Sequence, residues 1–191
     1  MLKIFHVDTE TTGKHSSVHS IHQLAAIIEV NGEVVDRINV KMRPRMGRHI
    51  EDEALKVGGV TRQQVMQYPM FTDGMATVLR MLAKHAVLED PKDKFFISGY
   101  GSEHFDKGFL HDLFVAAGQR TFADWFYSAS LDSMVLAAHV LRNERNNMQN
   151  FKLETVAKRL NIEVDPQQLH KAEYDVQLHY EVYSALTRMF R

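Results

Sequence analysis

Residues 2–13 read LKIFHVDTETTG, an apolar run that closes on two carboxylates, Asp8 and Glu10, with a single residue between them. Side chains alternate faces along a strand, so in an extended run both acids point the same way, near the place where the strand gives out. Two like charges side by side raise each other's free energy, and a cation is the usual way to offset that. Thr11-Thr12-Gly13 then gives the backbone a tight exit through which a ligand can approach. The run is apolar on both sides, as a strand at the centre of a sheet is. A solvated strand end would look the same in isolation, so the weight rests on whether the remaining chain supplies more carboxylates.

Composition narrows the chemistry. A chain of 191 residues with 45% apolar and 25% charged content is expected to form one globular domain over 1–191 with a sizeable core. The absence of cysteine excludes disulfides, thiolate zinc sites and a cysteine nucleophile, so a metal would be held by oxygen or imidazole, which favours Mg²⁺ or Mn²⁺. A formal net charge of −1 provides no global basic field, leaving only local patches to attract nucleic acid. No apolar run approaches the roughly 18 to 20 residues of a membrane span, and Met1 leads straight into the first strand, so a cytoplasmic protein with no membrane partner is expected. Of the eleven histidines, His6, His22, His111, His139 and His179 read as structural or surface residues.

Outward from the opening strand, Lys14 to Ser20 reads as a loop. Gln23–Val30 and Glu33–Met42 flank Asn31-Gly32, two residues that tolerate the positive φ of a type I′ hairpin turn. In the second arm Ile38, Val40 and Met42 alternate with Arg37, Asn39 and Lys41, which predicts one packed and one wet face. Residues 2–42 thus read as a three-stranded antiparallel meander. A short helix over Asp52–Val57 stops at Gly58-Gly59, Thr61 caps a further turn, and Thr72 or Asp73 is expected to cap a longer helix with Met75, Val78, Leu79, Leu82 and Val87 on one side. Lys94–Tyr100 is a second buried-type strand, followed by a helix over Ser102–Gly118 that carries Phe105 on its core side and Asp106 near its start. Trp125–Leu131 reads as a short extended segment. Asp132–Arg142 reads as a helix capped by Asp132, Arg142–Asn150 as a loop and Phe151–Leu160 as a further helix. The last helix spans Ala172–Met189, with His170 just ahead of it and Asp175 in its first turn.

Asp8, Glu10, Asp106 and Asp175 converge at one edge of a sheet if the meander continues into parallel crossover strands. At these residues the sequence resembles the DnaQ-like DEDD exonucleases of the ribonuclease H-like superfamily. Their first motif, Asp-x-Glu followed by Thr-Thr-Gly, is met in full by Asp8 to Gly13. Their second ends in Phe-Asp, met by Phe105-Asp106 in GYGSEHFD, and their third, His-x-Ala-x-x-Asp, is met by His170, Ala172 and Asp175, which marks the histidine subclass. The second motif usually carries an asparagine a few residues before its Asp. This chain has Gly101, Ser102 and Glu103 there, in a frame similar to the exonuclease I branch. The resemblance runs from Ile4 to the last helix.

What the resemblance implies is specific. The fold is an α/β ribonuclease H-like mixed five-stranded sheet, an antiparallel meander followed by parallel strands, flanked by helices. The activity is 3′–5′ exonucleolytic release of nucleoside monophosphates from DNA ends, with two Mg²⁺ ions about 3.5–4 Å apart, replaceable by Mn²⁺. Asp8 bridges both ions, Glu10 and Asp175 hold the one carrying the attacking water, Asp106 acts mainly through its neighbours and water, and His170 is the general base. Thr11, Thr12, Gly13, Leu24 and Phe105 form the implied substrate-binding set, Leu24 as a wedge against the terminal base. Lys14, Arg43, Arg45 and Arg48 are candidates for phosphate contacts. The implied partner is a nucleic-acid 3′ end, single-stranded DNA first and RNA as the alternative, in DNA replication or repair, with a DNA polymerase as a further partner. A non-catalytic nucleic-acid or polymerase-binding module on the same fold is the reading from another class. No polymerase-binding tail is evident before Arg191, which leans towards a stand-alone enzyme.

Overall fold

The opening run forms β1 (Lys3–Thr11), which lies third of five in the sheet order β3-β2-β1-β4-β5 of the computed structural model. The structure describes residues 1–118 and 122–189, and the chain end at Arg191 lies outside them. β1 pairs antiparallel with β2 (Ile21–Val30), which pairs antiparallel with β3 (Glu33–Lys41) through the two-residue turn Asn31-Gly32. Both turn residues have positive φ, 53° and 89°, as a type I′ turn requires. On its other side β1 pairs parallel with β4 (Phe96–Gly99), and β4 pairs parallel with the two-residue edge strand β5 (Leu131–Asp132). The mixed sheet and its flanking helices match the expected architecture.

Alternation along β1 divides the molecule into two layers. Phe5 and Val7 face a core shared with Leu24, Ala26 and Ile28 of β2, Met75, Val78 and Leu82 of α3 (Phe71–His85), and Phe109, Leu113 and Phe114 of α4 (Asp106–Ala116). On the opposite face, Ala25 and Ile27 pack against Ala172 and Val176 of α8 (Ala172–Arg188). His6, Asp8 and Glu10 stand opposite Ile27, Ala25 and Gln23 in the β1–β2 register, so the two acids lie on the α8 side of the sheet. Among the described residues the remaining α-helices are α1 (Asp52–Val57), α2 (Arg62–Met66), α5 (Phe122–Trp125), α6 (Ser133–Val140) and α7 (Leu153–Arg159), and a 3-10 turn at Arg145–Asn147 interrupts the loop expected over 142–150. α6, α7 and α8 enclose a second core around Ala137, Val156 and Leu178. Thr61 and Gln64 form a reciprocal capping box at the start of α2.

Several boundaries differ from those expected. α3 begins at Phe71 behind Met70, with no side-chain cap from Thr72 or Asp73, and ends at His85, so Val87 lies beyond it and is exposed. α4 begins at Asp106, because Ser102–Phe105 are used in a tight turn over Gly99, where an added Cβ would fall 2.5 Å from that of Ser102. The segment expected to be extended from Trp125 divides instead into α5, a single parallel bridge from Phe126 to Phe95, and β5.

Candidate active site

The site is built where β1 runs out. Asp8 and Glu10 project towards the start of α8, where Asp175 sits in the first turn. One oxygen from each of Asp8, Glu10 and Asp175 lies within 4.8 Å of the other two. The His170 amide donates to Asp175 Oδ2 at 2.9 Å, while Asp175 Oδ1 is buried with no hydrogen-bond partner. A buried carboxylate oxygen without a donor is costly, and a cation is the partner that three convergent oxygens suit. These three side chains therefore fit a hard divalent cation. His170 itself adopts φ 63°, a left-handed conformation that histidine tolerates better than most residues, and it is exposed, with no side-chain hydrogen bond among the described residues.

Asp106 approaches from the other layer. β4 stops pairing with β1 at His6–Ser98, and past that point the Thr9 amide turns to Asp106 Oδ1 at 3.1 Å, joined by the Thr9 hydroxyl at 2.6 Å. Thr9, the residue between the two acids of the first motif, thus orients the acid of the second. Asp106 stands outside the group of three mutually close carboxylates, and its charge is near enough to raise the Asp8 carboxyl. Asp132 caps α6 through the Met134 amide and also accepts from the amides of Gly101 and, at 3.4 Å, Glu103, which ties down the turn that delivers Asp106. Sequence reasoning found the cap but had no signal for the second task, because its partners lie 31 and 29 residues away.

The electrostatics follow from crowding. Burial pushes the Asp8 carboxyl well up, and the charges of Asp106, Asp175 and Glu10 add to the shift. Glu10 is raised to about 7 by burial and then by Asp175 and Asp106, while Asp175 and Asp106 rise to about 6, in both cases by burial first. A raised carboxyl keeps in the native state a proton that the unfolded chain has lost. Its contribution to stability is therefore complete below the unfolded value of about 4.3 and is lost as pH rises through about 7. At pH 8, above the values of Glu10, Asp175 and Asp106, those three charged carboxyls repel one another in the metal-free chain, and there the buried His6, His22 and His179, all shifted down by burial, are neutral. Glu10→Gln is expected to raise the melting temperature in EDTA at pH 8 by about 3 °C, the equivalent of about 1 kcal/mol at this chain length. It should also remove most of the rise that Mn²⁺ gives the native sequence, as read by thermal melts with and without metal.

The chain matches the RNase T family model, described as an exonuclease, over residues 5–183. It belongs to that exonuclease family. It is 27% identical over 187 residues to the DNA polymerase III subunit epsilon of Buchnera aphidicola, covering 95% of this chain and 71% of that one. It is also 26% identical over 170 residues to the PolC-type DNA polymerase III of Oceanobacillus iheyensis, covering 89% of this chain and 10% of that one. Among solved structures, Escherichia coli Exonuclease I in complex with a dT13 oligonucleotide superposes with a TM-score of 0.75 at 21% identity, over all of this chain and 43% of that one. The exonuclease spans less than half of the Exonuclease I chain, and the likeness there is one of fold. Together the family match and these relatives identify a DnaQ-like exonuclease on the ribonuclease H-like fold.

The substrate residues expected for this exonuclease are placed unevenly. Leu24 is fully buried in the main core, since alternation along β2 turns it to the face opposite Asp8 and Glu10, and it presents nothing to a base. Thr12 is fully buried with every polar group used. Its amide donates to Ser20, its carbonyl accepts from Glu51, and its hydroxyl donates to the His49 carbonyl and accepts from the Ser20 amide. Gly13 lies against the His19 ring, where an added Cβ would fall 2.2 Å from a ring carbon. Thr11 and Phe105 remain partly exposed, Thr11 donating to the Gly13 carbonyl and Phe105 packing 5.0 Å from Phe109. Arg45 and Arg48 both pair with Asp112 of α4, and Arg48 also binds the carbonyls of Ser16 and Ser17, so these arginines brace the loop after β1. No helix of the described residues is long and apolar enough to cross a membrane.

Proposed function

We propose that the chain is a metal-dependent 3′–5′ exonuclease that releases nucleoside monophosphates from single-stranded DNA ends. The observation that carries this reading is the close trio of Asp8, Glu10 and Asp175, with an unpartnered buried oxygen on Asp175 and His170 five residues ahead of it, its amide on the other Asp175 oxygen. A bound pair of Mg²⁺ ions would supply positive charge for the attacking and leaving oxygens and lower the pKa of the attacking water. Asp8, Glu10 and Asp175 would hold that charge, with Asp106 fixed behind them by Thr9. His170 accepts the proton of the attacking water at an imidazole nitrogen, acting as general base. Thr11, partly exposed at the end of β1 just past Glu10, would contact the terminal sugar.

DNA is favoured over RNA because the relatives are named as DNA polymerase III components and the neighbouring Exonuclease I structures hold oligodeoxynucleotides. A zinc-bound form of the Exonuclease I–DNA complex also lies among those neighbours, at TM-score 0.77 and 20% identity, which supports a divalent metal as cofactor. An intact acidic set argues against a non-catalytic module. The test is a gel of 5′-labelled single-stranded DNA, duplex DNA and RNA with Mg²⁺, Mn²⁺ or EDTA. Single-stranded DNA is expected to shorten from its 3′ end with either metal and to survive in EDTA. RNA shortened faster than DNA would reassign the substrate, and no metal-dependent shortening of any strand would overturn the enzyme reading.

A further inference from the structure

A groove of about 600 Å³ opens beside the acidic trio, on the same face of the sheet. Its floor follows from register. Glu10 stands opposite Gln23, and Gln23 stands opposite Lys41, so these three residues form one row across β1, β2 and β3. Two rows on, Ile27 stands opposite Arg37. α8 covers this face over β1 and β2 and leaves β3 open, so Arg37, Asn39 and Lys41 are exposed along the floor while the first turns of α8 make one wall. Lys171, next to His170, lies on that wall. Gly58 closes the end nearest the site, and a Cβ there would sit 3.3 Å from Glu10 Oε2 and 3.9 Å from the His170 carbonyl oxygen. The groove therefore begins at the wall that touches Glu10 and runs away from it across two strand spacings, roughly 10 Å.

The groove's cations differ from the others near the site. Arg45 and Arg48 are taken by Asp112 and Lys107 by Glu103. Arg37 donates to the neutral Gln177 amide oxygen at 2.6 Å, Lys171 donates to the neutral Gln168 amide oxygen at 2.8 Å, and Lys41 lies 5.4 Å from the Tyr68 ring centroid. None of the three is in an ion pair among the described residues. The acid on this lining, Glu173, accepts from Asn39. Three cations held by neutral partners, open to solvent and in line with a phosphodiester-cleaving site, complement a phosphate backbone.

We propose that this groove is a phosphate-binding subsite for the DNA strand, in which Arg37, Lys41 and Lys171 hold backbone phosphates beyond the scissile one. The inference rests on the exonuclease reading for the identity of its ligand, and its test is kept separate from turnover. A fluorescein-labelled oligothymidylate of about twelve nucleotides, a length on the scale of single-strand binding sites, is titrated with the full chain in EDTA. Anisotropy is read over a series of salt concentrations for the native sequence, for Arg37→Gln/Lys41→Gln, and for Lys92→Gln/Lys158→Gln, which removes the same charge from exposed positions outside the groove. The groove variant is expected to bind about tenfold more weakly and to lower the slope of log affinity against log salt by about 1.4, two phosphate contacts at about 0.7 each. A slope and affinity equal to those of the control pair would overturn the subsite and leave the groove to a protein partner. Hydrolysis of the p-nitrophenyl ester of thymidine 5′-monophosphate by the native chain with Mn²⁺ tests the exonuclease reading on its own, since that ester carries no second phosphodiester.

Discussion

Asp8→Asn is expected to lose activity on single-stranded DNA by about 10³-fold or more, since a cation at the reaction centre is worth several kcal/mol and each 1.4 kcal/mol is a factor of ten. The physical reason lies in its position. The Asp8 carboxyl is raised by burial and then by the charges of Asp106, Asp175 and Glu10, so it lies where the negative potentials of all three other acids overlap. Asparagine is nearly isosteric and keeps the strand position opposite Ala25, so the fold should survive, and metal-free melting at pH 8 should rise as repulsion is removed. The measurement is kcat/KM against metal concentration together with thermal melts in EDTA. A variant that retains most of its activity at saturating Mn²⁺ would exclude Asp8 as a ligand.

His170→Ala is expected to lower kcat by 10²- to 10⁴-fold, the usual contribution of a positioned general base, while the metal concentration for half-maximal activity changes little. The two effects separate because His170 acts on the site through two different groups. Its backbone amide holds Asp175 Oδ2 and is kept in any substitution other than proline, whereas its imidazole makes no hydrogen bond among the described residues. The positive φ of 63° makes His170→Asn the better companion variant, since asparagine also accepts that conformation and alanine does so at about 1 kcal/mol. Equal losses in both variants with unchanged melting would assign the effect to the imidazole, and an unaltered rate would rule His170 out as the base.

The first motif is legible because it is local. Alternation from Leu2 to Gly13 tells which residues share a face, and Asn31-Gly32 sets the hairpin register that places Gln23 beside Glu10. The third motif is legible for the same reason, His170 lying just ahead of the last helix and Asp175 five residues on in its first turn. The substrate residues were less legible. Leu24 is one residue from the row that borders the site, and in a strand that single step transfers a side chain to the opposite face. Thr12 has the composition of a ligand-binding exit, yet its groups are used by Ser20, His49 and Glu51, a knot that no local pattern announces.

By itself the sequence determined the central strand, the meander, the order of the three acidic motifs and the absence of thiolate chemistry, since period, turn residues and composition are properties of neighbouring residues. Tertiary structure alone decided that Asp106 is received by Thr9, 97 residues away, that Arg45 and Arg48 are consumed by Asp112, 67 and 64 residues away, and that Arg37, Lys41 and Lys171 remain open beside Glu10. A period states which face a side chain is on. Which partner waits on that face is settled only when strands and helices from distant parts of the chain pack against it.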